Sequence, residues 1–172
     1  MARKEALREL QNRLAERLQV ARTQKAARSW LAVECAGRGL LFPLAEAGEI
    51  FAPVPLLPVP HTQRWFLGVA NLRGHLNGVV DLAAYLGLER VEGSRDGAQL
   101  VGFNAALGLN CALQVDRLAG LRHDGQLTPE PVDAGPRPAF ARGLFRDAGG
   151  RTWQELSLAA LASEPSFIRV VG

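Results

Sequence analysis

A stretch of this sequence occurs twice, and the repeat limits the folds that the chain can adopt. Residues 68–86 read GVANLRGHLNGVVDLAAYL, and residues 143–161 read GLFRDAGGRTWQELSLAAL. Each copy has an apolar run, a turn that contains glycine, a second apolar run and a residue, Asp81 or Ser157, that can begin a helix. The alignment needs one inserted residue in the second copy. We therefore predict one β-rich unit built twice, with a hairpin and a short helix at the end of each copy.

The segments upstream of the two copies also correspond. Residues 41–50 and 113–121 are apolar runs with a charge in the middle, and a proline-rich connection follows each of them. The order of strand, proline-rich loop, hairpin and capped helix thus occurs twice, which argues against chance. The polar residues 89–99 lie between the copies, and we predict the junction there.

Short apolar runs between glycines and turn residues predict many short strands and few helices. Residues 71–74 form the predicted turn of the first hairpin, with Asn71 in the left-handed region. The predicted strands are 30–35, 40–44, 46–51, 66–72, 75–80, 99–104, 111–115, 117–122, 140–146, 151–155 and 166–171, and the predicted short helices are 82–87 and 158–162. This pattern favours small β-barrels over a parallel sheet.

Residues 3–22 predict a helix with a narrow apolar stripe. Leu7, Leu10, Leu14 and Leu18 follow one another at spacings of 3, 4 and 4 residues. A narrow stripe suits docking onto a surface better than filling a core. Two interpretations stay open: a helix that packs on its own domain or frays in solution, and a helix that binds a partner.

Positive charge is concentrated at the N-terminus. Residues 1–29 hold eight basic and three acidic side chains, a net charge of +5, so the remainder of this +3 chain carries −2. A slightly acidic body opposes a phosphate-binding groove, and no aromatic residue interleaves with the basic ones. We therefore expect no nucleic-acid partner. An SH3-like barrel module that binds nucleic acid through the basic helix is the alternative function.

No pattern in the sequence predicts catalysis or a metal site. His61, His75 and His123 are scattered, and no hydrolase or nucleotide-binding motif is present. Glu46 and Glu49 lie three apart on a strand-like run, which places them on opposite faces instead of in a catalytic pair. We predict no catalytic residue, no metal ligand and no cofactor.

The remaining composition indicates a cytoplasmic protein. Cys35 and Cys111 each lie in an apolar strand-like run, which predicts buried free thiols in a reducing compartment, with a disulfide between them as the minority alternative. No apolar run approaches the roughly 20 residues that span a bilayer. The charged N-terminus does not resemble a secretory signal. We therefore expect no membrane insertion.

Five short segments form a pattern of their own. They are Gly48-Glu49-Ile50, Val59-Pro60, residues 68–74 (GVANLRG), residues 79–82 (VVDL) and residues 115–118 (VDRL). In these segments the chain resembles the CheW family, whose members couple chemoreceptors to a histidine kinase, and the likeness spans residues 30–170. The resemblance implies a mainly β fold of two small five-stranded, SH3-like barrels around a shared core. Residues 1–27 are then an N-terminal helix, and residues 28–172 are the CheW-like domain.

Further residues indicate a branch of that family. Trp65, just before the GVANLRG motif, and the long N-terminal helix resemble the PilI-like branch, which serves type IV pilus twitching motility. Gly78 departs from the family by standing where proline is common, and Ser157 replaces the second aspartate of the repeat. Serine caps a helix about as well as aspartate, so the fold is not put in doubt.

The resemblance implies an adaptor that acts by contact and not by reaction. Its expected partners are the regulatory domain of a CheA-type histidine kinase and the cytoplasmic tip of a methyl-accepting chemoreceptor. Glu49 and Arg73 are expected to pair across neighbouring strands near a partner-facing groove, with a purely structural salt bridge as the alternative. Leu44, Ala47 and Gly68 match positions that line the receptor-side groove, with ordinary barrel core as the alternative. The predicted partner-binding residues are thus Leu44, Ala47, Glu49, Gly68, Asn71 and Arg73, and the helix would add contacts through Leu7, Leu10, Leu14 and Leu18.

Overall fold

A computed structural model describes residues 2–23, 27–90 and 96–172 of the chain, and this part is mainly β. The helices are α1 (Ala2–Thr23), α2 (Leu82–Tyr85), α3 (Leu158–Ala162) and α4 (Pro165–Ile168). The strands are β1 (Ser29–Cys35), β2 (Arg38–Pro43), β3 (Ala47–Phe51), β4 (Phe66–Leu72), β5 (His75–Asp81), β6 (Gln99–Phe103), β7 (Cys111–Val115), β8 (Arg117–His123), β9 (Leu127–Glu130), β10 (Ala141–Asp147) and β11 (Thr152–Leu156). Within these ranges, no helix is both long and apolar enough to cross a membrane.

Two elements differ from the sequence prediction. The predicted strand at 166–171 is wrong: α4 begins there because Pro165 suits the first turn of a helix, and only Val171 forms an isolated bridge, with Thr62. Strand β9 was not predicted because it contains Pro129, which is typical of a loop. Since β9 is the last strand of its sheet, the missing amide of Pro129 interrupts no central ladder.

The two sheets exchange strands between the two copies of the repeat. The six-stranded sheet has the order β8-β1-β2-β11-β10-β9, and the five-stranded sheet has the order β3-β6-β7-β5-β4. The six-stranded sheet combines β1 and β2 of the first copy with β8, β10 and β11 of the second. The five-stranded sheet combines β6 and β7 of the second copy with β3, β4 and β5 of the first. Strand β9 has no counterpart in the first copy. The copies meet twice in each sheet, once in a parallel pair (β2 with β11, β5 with β7) and once in an antiparallel pair (β1 with β8, β3 with β6). This symmetry supports the predicted duplication.

Residues 89–99 join the copies in sequence but do not separate the sheets, because each sheet takes strands from both sides of that segment. Residues 91–95 of the predicted junction lie outside the described residues. The domain limits at 1–27 and 28–172 stay a prediction.

Three clusters of buried side chains hold the sheets together. Alternate residues of a strand face opposite sides, so Trp30 of β1 packs in a cluster within its own sheet while Leu31 faces a cluster shared by both sheets. The five-stranded sheet encloses a third cluster that includes Leu100. The short helices α2, α3 and α4 complete the shared cluster. The predicted fold of two small barrels around a shared core is confirmed, except that neither sheet pairs its first strand with its last.

Candidate partner-binding surface

The GVANLRG motif ends in a two-residue turn at one end of the five-stranded sheet. Leu72 pairs with His75, so Arg73 and Gly74 form the turn, with φ angles of +50° and +82°. Two successive positive φ angles indicate a type I′ turn, which matches the twist of the flanking strands. The amide of Gly74 donates a hydrogen bond of 2.8 Å to Oδ1 of Asn71. The prediction that Asn71 itself is left-handed is wrong, because Arg73 takes that conformation.

Arg73 and Glu49 form the predicted ion pair. The distance from Nη1 of Arg73 to Oε1 of Glu49 is 2.9 Å, and the two side chains are 74% and 53% exposed. The prediction that the two residues pair across neighbouring strands is wrong, however. Glu49 lies on β3 and Arg73 follows β4, and these strands are the two edges of the five-stranded sheet, with β6, β7 and β5 between them. The ion pair therefore joins the two ends of a curled sheet.

The proline-rich connection after β3 covers the edge of β4. Leu57 and Val69 exchange two backbone hydrogen bonds of 2.9 Å. Gly68, at φ +137°, allows this approach, since a Cβ atom there would lie 2.4 Å from the carbonyl oxygen of Leu57. Gly68 is buried, so it admits the Leu57 backbone and presents no surface of its own.

Exposed apolar side chains lie on the strands next to the ion pair and on the connection that covers β4. Asn71 and Leu76 are directly opposite one another on β4 and β5, and Leu57 pairs with Val69, two residues before Asn71, so these side chains share the outer face of the hairpin. Leu57 is 69% exposed, Leu76 is 65% exposed, and Ile50 beside Glu49 is 43% exposed. We call this set the corner surface: Glu49, Ile50, Leu57, Asn71, Arg73 and Leu76.

Leu44 and Ala47 lie at the start of β3, in and after the turn from β2. Leu44 is 43% exposed, and its amide donates a 3.0 Å hydrogen bond to the carbonyl oxygen of Ser29. It lines a shallow cavity of about 310 Å³ whose other walls come from residues 27–30, 43 and 45. Ala47 is half-buried and pairs with Phe103 of β6. Leu44 is thus the more accessible of these two residues.

The carboxylate of Glu46 fastens the turn that carries Leu44 to the beginning of α3. No pattern in the sequence predicted this role. Oε1 of Glu46 accepts hydrogen bonds of 2.8 Å from Oγ of Ser157 and from the amide of Ala159, at the beginning of α3. Glu46 lies in a turn and not on a strand, so the predicted alternation with Glu49 does not apply. The repeat could have pointed to Glu46, because Asp116 is an acidic residue at the corresponding position between β7 and β8 in the second copy.

The corresponding end of the first copy uses two carboxylates and an arginine. Asp81 caps α2 by accepting a 3.2 Å hydrogen bond from the amide of Ala84. Arg90 donates two bonds of 2.7 Å to Asp81, and its Nη2 lies 3.0 Å from Oδ1 of Asp116. Since β5 leads directly into α2, this buried cluster anchors the hairpin that presents Arg73.

Helix α1 is present as predicted. Leu7, Leu10 and Leu14 are 59%, 56% and 53% exposed. The side chain of Leu18 lies outside the described residues. The stripe of three described leucines therefore does not pack on the domain, and its contact with a partner stays a prediction.

The CheW-like domain family matches residues 29–166, which is most of the chain. The chain belongs to the CheW family. Protein PilI of Pseudomonas aeruginosa is 30% identical over 155 residues, which cover 86% of this chain and 83% of PilI. The chemotaxis protein CheW of Rhizobium meliloti is 33% identical over 103 residues, which cover 59% of this chain and 66% of that protein. The predicted family and its PilI-like branch are confirmed.

The fold has a solved counterpart in the same family. The scaffolding protein TtCheW from Thermoanaerobacter tengcongensis superposes with a TM-score of 0.65 at 19% identity, over 77% of this chain and 90% of that one. At 19% identity this likeness shows that the two proteins share a fold.

Proposed function

We propose that this CheW-like protein is a non-enzymatic, cytoplasmic adaptor of a twitching-motility pathway. It bridges the cytoplasmic tip of a methyl-accepting chemoreceptor and the regulatory domain of a CheA-type histidine kinase. The observation that carries the proposal is the exposed pair of Glu49 and Arg73 within the family motif. The similarity to PilI over 86% of the chain supports the pathway.

Stability does not explain why an arginine occupies the turn. A left-handed conformation costs a residue with a Cβ atom roughly 1 kcal/mol. An exposed ion pair returns about 0–1 kcal/mol, so the two effects largely cancel. The same turn nevertheless holds the guanidinium in one place, where its planar donors can meet a carboxylate or a carbonyl group of a partner. A contact with a partner accounts for the residue better than a structural salt bridge does.

The corner surface suits the kinase. It lies where the two edge strands of one sheet approach each other, and it includes three exposed apolar side chains, Ile50, Leu57 and Leu76. Such an end can pack against the corresponding end of another small barrel, with apolar contact in the centre and charge at the rim. The segment with Leu44 and Ala47, which precedes Glu49 in the chain, takes the receptor tip. The exposed leucines of α1 add a contact to one of the two partners.

The test reconstitutes signalling from purified protein, a receptor signalling fragment and the CheA-type kinase of the same organism. We expect a ternary complex by size-exclusion chromatography, and receptor-dependent autophosphorylation of the kinase only when the adaptor is present. Leu44→Asp should weaken the receptor contact, and Arg73→Ala should weaken the kinase contact. Leu121→Asp is the matched control, because Leu121 is 52% exposed on β8, in the other sheet. A protein that binds neither partner, or equal defects in Leu44→Asp and Leu121→Asp, would contradict the proposal.

A further inference from the structure

A large groove lies outside the surfaces assigned to the kinase and the receptor. It has a volume of about 1210 Å³ and is formed by the β1–β2 turn, the segment before β4, α2, β11, α4 and residues 138, 140 and 141. None of its lining residues belongs to the corner surface or to the turn with Leu44 and Ala47. We call it the inter-sheet groove.

The rings of Trp65, Tyr85 and Phe140 form the aromatic floor of the groove, and the buried ring of Phe167 packs against Trp65 and Tyr85. The ring of Trp65 meets Tyr85 edge-on at 5.1 Å and stacks on Phe167 at 6.0 Å, and Tyr85 lies 6.0 Å from Phe140. The hydroxyl of Tyr85 is 2.9 Å from Oγ of Ser166 on α4. Aromatic rings held in this way form a preorganised apolar surface, which loses little conformational freedom when it is covered.

The rim of the groove carries an excess of positive charge. Its charged residues are Arg38, Arg151, Arg169 and Glu164. Arg151 is engaged, since it pairs with Glu34 and lies 4.6 Å above the ring of Trp153. Arg38 and Arg169 are exposed, and neither takes part in any ion pair of the described residues.

We propose that the inter-sheet groove binds an acidic amphipathic segment of a partner protein, with apolar side chains on the aromatic floor and carboxylates against Arg38 and Arg169. This goes beyond the kinase and receptor contacts. The volume exceeds the roughly 300–1,000 Å³ of usual small-molecule pockets, which favours a peptide element. Charge complementarity selects the acidic partner.

The positive charge of α1 disfavours this helix as the occupant, from this chain or from a second copy. Its described side chains include four basic residues, Lys4, Arg8, Arg13 and Arg17, against the acidic Glu5, Glu9 and Glu16. An excess of positive charge on α1 would meet an excess of positive charge on the rim. Its leucine stripe is also exposed in this structure.

The test uses two fluorescein-labelled synthetic peptides and the full chain. One peptide has leucines at helical spacing flanked by glutamates, and the other has lysines in place of the glutamates. By fluorescence anisotropy we expect the glutamate peptide to bind at least roughly tenfold more tightly, and more weakly as salt rises. Arg38→Glu and Arg169→Glu should each weaken it by about fivefold. Arg142→Glu is the matched control, since Arg142 is exposed and lies outside the groove lining.

Mapping by ¹⁵N–¹H NMR decides where the glutamate peptide binds. We expect amide shifts at residues 37–40, 85–88 and 164–169. Circular dichroism checks the fold of each variant, and Arg38→Gln with Arg169→Gln replaces any charge reversal that unfolds the chain. Equal binding of both peptides, no binding, shifts confined to the corner surface, or an effect of Arg142→Glu as large as that of Arg38→Glu would overturn the proposal. Tighter binding after removal of α1 would identify α1 as the occupant and overturn it too.

Discussion

Oγ of Ser157 donates a 2.8 Å hydrogen bond to Oε1 of Glu46, a residue 111 positions earlier in the chain. The same hydroxyl accepts a 3.1 Å bond from the amide of Ala160, which caps α3. One side chain therefore begins a helix and fastens it to the turn that carries Leu44. In the first copy Asp81 holds this position and faces a second carboxylate, so that end needs the positive charge of Arg90.

Replacement of Ser157 tests this difference between the copies. Ser157→Ala should lower the free energy of unfolding by about 1–2 kcal/mol, because a helix cap is lost and Glu46 loses one donor. Ser157→Asp should cost more than Ser157→Ala, since it keeps the capping atom but sets a second carboxylate beside Glu46 without an arginine. Urea unfolding measures both, with Ser163→Ala, at an exposed position, as the control. A Ser157→Asp variant as stable as the unchanged protein would contradict this account.

Arg90 is expected to be the most sensitive charged residue of the fold. Arg90→Met should destabilise the protein by about 3–5 kcal/mol, because two buried carboxylates would lose the cation between them. The double variant Asp81→Asn with Arg90→Met should recover part of that loss, since one of the two charges is gone. Thermal and urea unfolding provide the comparison. If the double variant is less stable than Arg90→Met alone, repulsion between Asp81 and Asp116 is not the cause.

Substitutions of Arg73 should weaken binding to a partner with little effect on the stability of the fold. Arg73→Ala should change the free energy of unfolding by about 1 kcal/mol or less, because its ion pair is exposed. Arg73→Asn should match or exceed the stability of the unchanged protein, since asparagine tolerates φ +50° better than arginine does. Both variants should bind the kinase more weakly, as measured by isothermal calorimetry. Global unfolding of either variant by circular dichroism would make the residue structural.

Helix α1 should be dispensable for folding. Its side chains from residue 4 to residue 17 are exposed, so a chain that begins at Arg28 should melt at a similar temperature. It should lose affinity for one partner, and the pair of changes Leu10→Asp and Leu14→Asp should reproduce that defect by placing charge against an apolar surface. Aggregation or a much lower Tm of the shortened chain would show that α1 belongs to the core. Unchanged affinity for kinase and receptor would show that it has neither role.

Both cysteines should be inert while the protein is folded. Cys35 and Cys111 are buried free thiols, as predicted, and burial raises the pKa of each to about 12. At pH 8 both side chains are then in the thiol form, and the thiolate is the reactive form. A disulfide-exchange reagent such as DTNB should label neither cysteine until urea unfolds the chain, when both react. Rapid labelling of the native protein would show that a strand opens locally, and Cys→Ser variants would identify it.

The sequence predicted individual residues of the candidate site, but it did not predict how the fold brings them together. The motif with Arg73 and the pairing with Glu49 were available, because a family resemblance places residues one by one. The left-handed backbone of Arg73 could not be predicted, since turn statistics assign that conformation to Asn71. The inter-sheet groove was not predicted either. Its walls come from positions as distant as Arg38 and Arg169, whose proximity no local pattern records.

The sequence by itself determined most of the local elements, with β9 and α4 as the exceptions. Alternation of apolar residues, the glycine of each hairpin turn and the caps Asp81 and Ser157 act within a few residues of the chain, so the repeat could be read as hairpin and helix. Only the tertiary structure decided how the copies combine. Each copy leaves a pair of strands whose two edges are completed by the other copy, in the parallel pairs of β2 with β11 and of β5 with β7 and in the antiparallel pairs of β1 with β8 and of β3 with β6. Burial of the shared core and completion of these ladders are interactions across the whole chain, and residues such as Glu46 and Ser157 acquire their roles only once those strands have met.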